Sequence, residues 1–187
     1  MKTLPNMLTV SRMILTVIFI ILIFQPGLMT RIMAAVVFLA ASLTDLCDGY
    51  YARKHNLITD FGKLMDPIAD KFLILGAFFV FMQMHLIAVW MFLAIFIREI
   101  FITFWRLWAI KKGEVMAAEK AGKIKTTLQM TVIFLILFYL IIIELHILAS
   151  SYHLMFLGIS WLMLAVVFVT IISGVSYLWN NKRFLHA

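Results

Sequence analysis

A single cysteine, Cys47, leaves the chain without a partner for an intramolecular disulfide, and it reads as a small packing residue. Charge is scarce as well: 13% of the 187 residues are charged, against 65% hydrophobic. So apolar a chain has more nonpolar surface than one soluble core could hide, which makes the bilayer its expected solvent. No low-complexity linker, solenoid-length repeat or glycine-rich phosphate loop interrupts it. The histidines, His55, His85, His146, His153 and His186, fall at loops, span ends or the C-terminus without zinc-motif spacing. They are assigned no ligand role. The net charge of +7 could suit nucleic acid, but the basic residues flank apolar runs, so anionic lipid headgroups are the expected partner and nucleic acid is not.

What is present is a series of apolar runs, each near the roughly 20 residues a helix needs to cross hydrocarbon. They predict six transmembrane helices near 7–25, 32–52, 64–84, 86–110, 123–145 and 153–179, an all-α integral membrane protein with one membrane-embedded domain over 1–187. The first run ends in Phe24-Gln25-Pro26-Gly27 without a small-residue cleavage pattern, so it is expected to stay as a span. Basic residues set the orientation. Lys2, Arg53, Lys54, Lys63, Lys111, Lys112, Lys120, Lys123, Lys125, Lys182 and Arg183 fall on one side and Arg31 on the other, which predicts both termini in the cytoplasm. Trp90, Trp161 and Trp179 lie near predicted span ends, where indoles anchor at the interface.

All five aspartates lie between positions 45 and 70. Asp45 and Asp48 are three apart, Asp66 and Asp70 four apart, so each pair occupies one face of a helix. Two sequential spans meeting at the cytoplasmic boundary would bring four carboxylates together. Such a cluster repels and is costly to desolvate unless a cation sits among it. Carboxylate oxygen is the donor magnesium or manganese prefers, and two such ions suit attack at phosphorus. The alternative is a solvated loop in which the aspartates pair with Arg53, Lys54, Lys63 and Lys71. Asp60, off both faces, reads as a loop residue or cap, and Pro67 as tolerated near the start of a span. Gly49 costs a helix about 1 kcal/mol against alanine. With Gly62 and Ala52, it reads either as room for a ligand or as close helix packing.

The pattern Asp45-x-x-Asp48-Gly49-x-x-Ala52-Arg53, eight residues, then Gly62-x-x-x-Asp66-x-x-x-Asp70 resembles the signature of the CDP-alcohol phosphatidyltransferases at all eight positions. The resemblance implies a six-span, dimeric fold with a cytoplasm-facing site and two divalent metal ions. It implies that Asp45, Asp48, Asp66 and Asp70 ligate metal, and that Asp70 also deprotonates the acceptor hydroxyl. Gly49, Ala52, Arg53 and Gly62 would line the pocket for the CDP-lipid. The residue types agree, since a carboxylate can take a proton from an attacking alcohol and Arg53 can clamp a phosphate with its planar fork.

Acceptor choice must be sought outside the signature. Glu99, Thr103 and Arg106 share a helix face four and three residues apart, with Arg98 off it, and charge within a span normally faces a bundle interior. With Gly122-Lys123-Ile124-Lys125-Thr126 and the opening Asn6-x-Leu8-Thr9-x-x-Arg12, they are similar to bacterial phosphatidylglycerophosphate synthases. That similarity implies CDP-diacylglycerol as donor, sn-glycerol 3-phosphate as acceptor, a homodimer and the bacterial inner membrane. Arg106, Lys123 and Lys125 are the candidate ligands of the acceptor phosphate; Asn6 and Thr9 are candidates near the nucleotide. The competing readings are an internal ion pair for Glu99 and Arg106, positive-side anchoring for the lysines, and capping or interfacial snorkelling for Asn6, Thr9 and Arg12. Other acceptors within the same chemistry are phosphatidylglycerol, serine and inositol phosphate. From a different class, a small cation transporter would also carry acidic residues in a bundle, distributed near the bilayer midplane.

Overall fold

Apolar runs of 20 or more residues, broken only by short polar or Pro/Gly segments, leave the backbone no partner but itself, and helices result. In the computed structural model they are α1 (Thr3–Phe24), α2 (Leu28–His55), α3 (Asp60–Gln83), α4 (Val89–Lys111), α5 (Lys120–Glu144) and α6 (Tyr152–Asn180), with one 3₁₀ turn at Ala149–Ser151. The structure describes the backbone of residues 3–55, 60–111, 120–147 and 149–180, and the side chains of residues 10–44, 68–69, 71–105, 107–109, 122–147 and 150–180. No strand occurs among the described residues. Among the described residues, two helical stretches, Gly122–Glu144 and Tyr152–Asn180, are long and apolar enough to cross a membrane, with mean hydropathies of 2.4 and 2.5.

The helix α1 packs along α2 and α3, α6 packs along α4 and α5, and α5 reaches back to α2 and α3. Gly76 permits the first of these contacts. A Cβ there would stand 3.3 Å from both Thr16 Cγ2 and Ile20 Cδ1 of α1, so the small residue lets α1 and α3 approach. Phenylalanines fill the interior between α1, α2 and α5: buried Phe19 and half-buried Phe134 each hold a ring centroid 5.3 Å from that of buried Phe38, the second edge-on. Such edge-to-face pairs satisfy the ring quadrupoles while filling space.

One end of the bundle is tied by Arg31 near the start of α2. Its guanidinium bonds the Ile23 carbonyl at the end of α1, touches Met84 Sδ after α3, and lies 3.6 Å from Glu144 Oε1 at the end of α5. Gly27, at φ +116°, turns the chain between α1 and α2. These contacts gather the ends of α1, α3 and α5 with the start of α2, so the opposite ends of these helices lie at the far end of the bundle. The α3 terminus closes with His85 at φ 58°: His85 N–H donates to Met82 O at 3.0 Å, and Leu86 N–H to Phe81 O at 2.9 Å. This paired arrangement satisfies carbonyls that a helix end leaves open. Trp90 and Trp179 sit at the ends of α4 and α6, whereas Trp161 lies nine residues inside α6, deeper than the sequence reading placed it.

Candidate active site

The backbone carries Asp45, Asp48, Gly49, Ala52 and Arg53 on the last turns of α2, and Gly62, Asp66 and Asp70 on the first turns of α3. Both runs are helical, so the spacings of three and four do place each aspartate pair on one helix face. Ahead of the first pair, Ser42 and Thr44 bond their hydroxyls to the Phe38 and Ala41 carbonyls at 2.8 and 2.7 Å, keeping polar groups satisfied within α2. The side chains of all these signature residues lie outside the described part of the structure, as do those of Asn6 and Thr9 on α1 and Arg106 on α4. Among the described residues no group of three or more His, Cys, Asp or Glu stands together as a metal site.

The described side chains do form a charged centre, built around Glu99. This carboxylate is 1% exposed in the middle of α4, where an unpaired charge would be costly. Its Oε1 accepts from Lys125 Nζ of α5 and, at 3.2 Å, from Arg98 Nη1; its Oε2 lies 2.5 Å from Lys71 Nζ of α3. The Lys71 contact is an ion pair rather than an aligned hydrogen bond. Arg98 also donates from Nη2 to Ser173 Oγ of α6 at 2.7 Å. Gly174 makes room for it, since a Cβ there would meet Arg98 Cγ at 3.2 Å. Three helices therefore converge on one carboxylate, and α6 joins them through Arg98.

Lys125 is 3% exposed and faces the interior, but Lys123, two residues earlier, is exposed. Two of the three candidate phosphate ligands thus part company: one sits in the charged centre, the other on the surface. Thr103, on the Glu99 face, bonds its hydroxyl to the Glu99 carbonyl at 2.7 Å. Arg12 is 2% exposed, so snorkelling to the interface does not describe it. Sequence reasoning left Arg98 open between a substrate-binding and a structural charge and put Lys71 only in the solvated-loop alternative. A lysine inside a predicted span needs an acidic partner, and Glu99 was the acid to ask about.

The chain matches the model of the CDP-alcohol phosphatidyltransferase family over residues 2–172. It belongs to the CDP-alcohol phosphatidyltransferases. It is 37% identical to the CDP-diacylglycerol--glycerol-3-phosphate 3-phosphatidyltransferase of Bacillus subtilis, over 97% of this chain and 96% of that one. The protein of the same name from Rickettsia bellii is 33% identical over 98% and 97% of the two chains. A probable phosphatidylglycerophosphate synthase of Mycobacterium tuberculosis is 33% identical over 96% of this chain and 82% of the relative.

Within this phosphatidyltransferase an apolar groove of about 480 Å³ runs between α3 and α4, lined by rings such as Phe72, Phe79, Phe92 and Phe96, with Lys71 and Thr103 also in its wall. At 100° per residue, positions 72, 75 and 79 stand roughly 140–200° around α3 from position 70. The groove suits the acyl chains of surrounding lipid.

Proposed function

We propose that this phosphatidyltransferase moves the phosphatidyl group of CDP-diacylglycerol to sn-glycerol 3-phosphate, giving phosphatidylglycerophosphate and CMP. The observation that carries the reading is the full-length likeness to enzymes named for that reaction, joined to the complete aspartate signature on α2 and α3. The acceptor hydroxyl attacks the phosphorus that bears the diacylglycerol, the bond from that phosphorus to the CMP oxygen breaks, and the hydroxyl proton passes to Asp70. Asp45, Asp48, Asp66 and Asp70 offer only hard carboxylate oxygens, a donor set that fits two magnesium or manganese ions. Bound there, the ions would neutralise charge on the diphosphate and the departing CMP.

Arg53 clamps a phosphate of the donor, Gly49, Ala52 and Gly62 line the pocket for the CDP-lipid, and Asn6 and Thr9 approach the nucleotide. Lys125 and Arg106 take the acceptor phosphate; Lys123, on the surface, attracts it. The six helices span the bacterial inner membrane with both termini and the site on the cytoplasmic side, in agreement with the basic residues gathered at that end. The protein works as a homodimer among membrane lipids.

Purified protein given CDP-diacylglycerol, divalent metal and one acceptor at a time tests the acceptor assignment. Product from glycerol 3-phosphate, well above that from serine, inositol phosphate or phosphatidylglycerol, is expected. Turnover with one of those three in its place would keep the mechanism and reject the acceptor.

A further inference from the structure

Arg12 is enclosed where a lone guanidinium would be costly. It is 2% exposed within an apolar helix, and a charge so placed is held by a partner of opposite sign. The two carboxylates among the described side chains are taken up elsewhere: Glu144 lies with Arg31 toward the other end of the bundle, and Glu99 holds Lys71, Arg98 and Lys125. The helices that α1 packs along, α2 and α3, are those that carry the aspartates.

Two contacts set the register of these three helices. Phe19 of α1 faces Phe38 of α2, with ring centroids 5.3 Å apart. The two helices run in opposite directions, so seven residues back from Phe19 and seven on from Phe38 reach one level, about 10 Å further from the turn at Gly27. Those residues are Arg12 and Asp45. Seven residues also return to within about 20° of the starting face. Arg12 therefore continues the buried stripe of Thr16, Phe19 and Ile23 on α1, and position 45 continues that of Ala34, Phe38 and Ala41 on α2. On α3, which runs the same way as α1, Gly76 stands against Thr16 and Ile20. Asp70 is six residues before Gly76, and Arg12 is four and eight residues before its two neighbours. The arginine thus shares its level with the first aspartate of α2 and the last of α3.

We propose that Arg12 is a positioning residue of the metal site: its guanidinium pairs with the Asp45 carboxylate and fixes the orientation in which Asp45 meets the ions. The inference rests on the metal reading of the four aspartates and deepens it. A ligating carboxylate is ordinarily held by a second partner that sets its orientation. A planar guanidinium fork suits that task, because it grips a carboxylate by geometry as well as by charge. The pair also offsets repulsion among the aspartates when no metal is bound.

The first test needs neither metal nor turnover. Unfolding of the full chain in mixed micelles with EDTA, driven by increasing denaturing detergent, is measured for the parent, Arg12→Gln, Asp45→Asn and the double variant. Asp45→Asn strips Arg12 of its partner, so it should shift the unfolding equilibrium constant at least about tenfold further in the parent than in the Arg12→Gln background. Equal shifts in the two backgrounds overturn this inference and leave the function standing. The second readout titrates manganese against CMP release. Arg12→Gln should need about 10–100-fold more manganese for its half-maximal rate, with KM for glycerol 3-phosphate within twofold of the parent. An arginine that only packs would lower the yield of folded protein and leave the manganese requirement unmoved, a result that also overturns the inference.

Should Arg12→Gln not be recovered folded, Arg12→Lys, which keeps the charge without the fork, takes its place in the EDTA comparison. Asp45→Asn should then shift unfolding less in that background than in the parent, and equal shifts overturn the pair. A parent without turnover on any acceptor strikes the function, while the comparison in EDTA still decides the pair.

Discussion

Removing the Glu99 carboxylate while keeping its shape, as in Glu99→Gln, should destabilise the bundle more than any other single polar substitution among the described residues. At 2.5 Å to Lys71 and 3.2 Å to Arg98, and at an effective dielectric of about 20, each contact carries roughly 5–7 kcal/mol of gross Coulomb attraction. Desolvation offsets most of that, and the net cost of breaking a buried pair from one side is about 3–5 kcal/mol. Lys125→Gln leaves Glu99 with two cations and should cost less, about 1–3 kcal/mol. Because both changes sever the same contact, the double variant should be scarcely worse than Glu99→Gln, giving a coupling of about 1–3 kcal/mol. The assay is unfolding of the purified protein in mixed micelles with increasing denaturing detergent, followed by the fluorescence of its five tryptophans. Single effects that add to within about 0.5 kcal/mol would refute the claim that the centre acts as a unit.

Gly174→Leu should force Arg98 out of its notch, since even a Cβ meets Arg98 Cγ at 3.2 Å. A loss of about 1–3 kcal/mol is expected in the same unfolding assay, from overpacking. Arg31→Met, at the far end of the bundle, should cost about 1 kcal/mol or less for the partly exposed ion pair with Glu144. Its kcat should stay within twofold of the parent, because none of the proposed chemistry lies there. Chelation with EDTA should abolish CMP release, and added magnesium or manganese should restore it; turnover that survives thorough chelation would remove the reason for the four aspartates.

The helices were legible because their signal is local. The run expected at 153–179 is α6 over Tyr152–Asn180, and that at 86–110 is α4 over Val89–Lys111. The larger differences are at the polar ends. The run expected at 32–52 extends to Leu28–His55 and that at 64–84 begins at Asp60. Apolar content fades near the aspartates, but the backbone hydrogen bonding of a helix does not require it. The aspartate pairs, at spacings of three and four, were likewise readable from periodicity alone.

The charged centre was not. Periodicity assigns Glu99 a face but not the neighbour across it, and its partners lie 28 residues away on α3 and 26 away on α5. Lys123 and Lys125 looked alike in sequence, yet one is exposed and the other buried, because two residues turn a helix by about 200°. Likewise Arg12, an interfacial cation by its position near the start of a span, is enclosed by the packing of α1. Such outcomes depend on which helices meet, and no local pattern records that.

The central claim is that carboxylates on α2 and α3 drive phosphatidyl transfer, with Asp70 receiving the acceptor proton. The direct measurement compares the parent with Asp70→Asn, both purified and shown to unfold at the same detergent concentration, by CMP release from CDP-diacylglycerol with glycerol 3-phosphate and magnesium or manganese. The account predicts phosphatidylglycerophosphate and CMP in equal amounts from the parent, and a rate at least about a hundredfold lower in Asp70→Asn. An Asp70→Asn protein that turns over within a few-fold of the parent would contradict it.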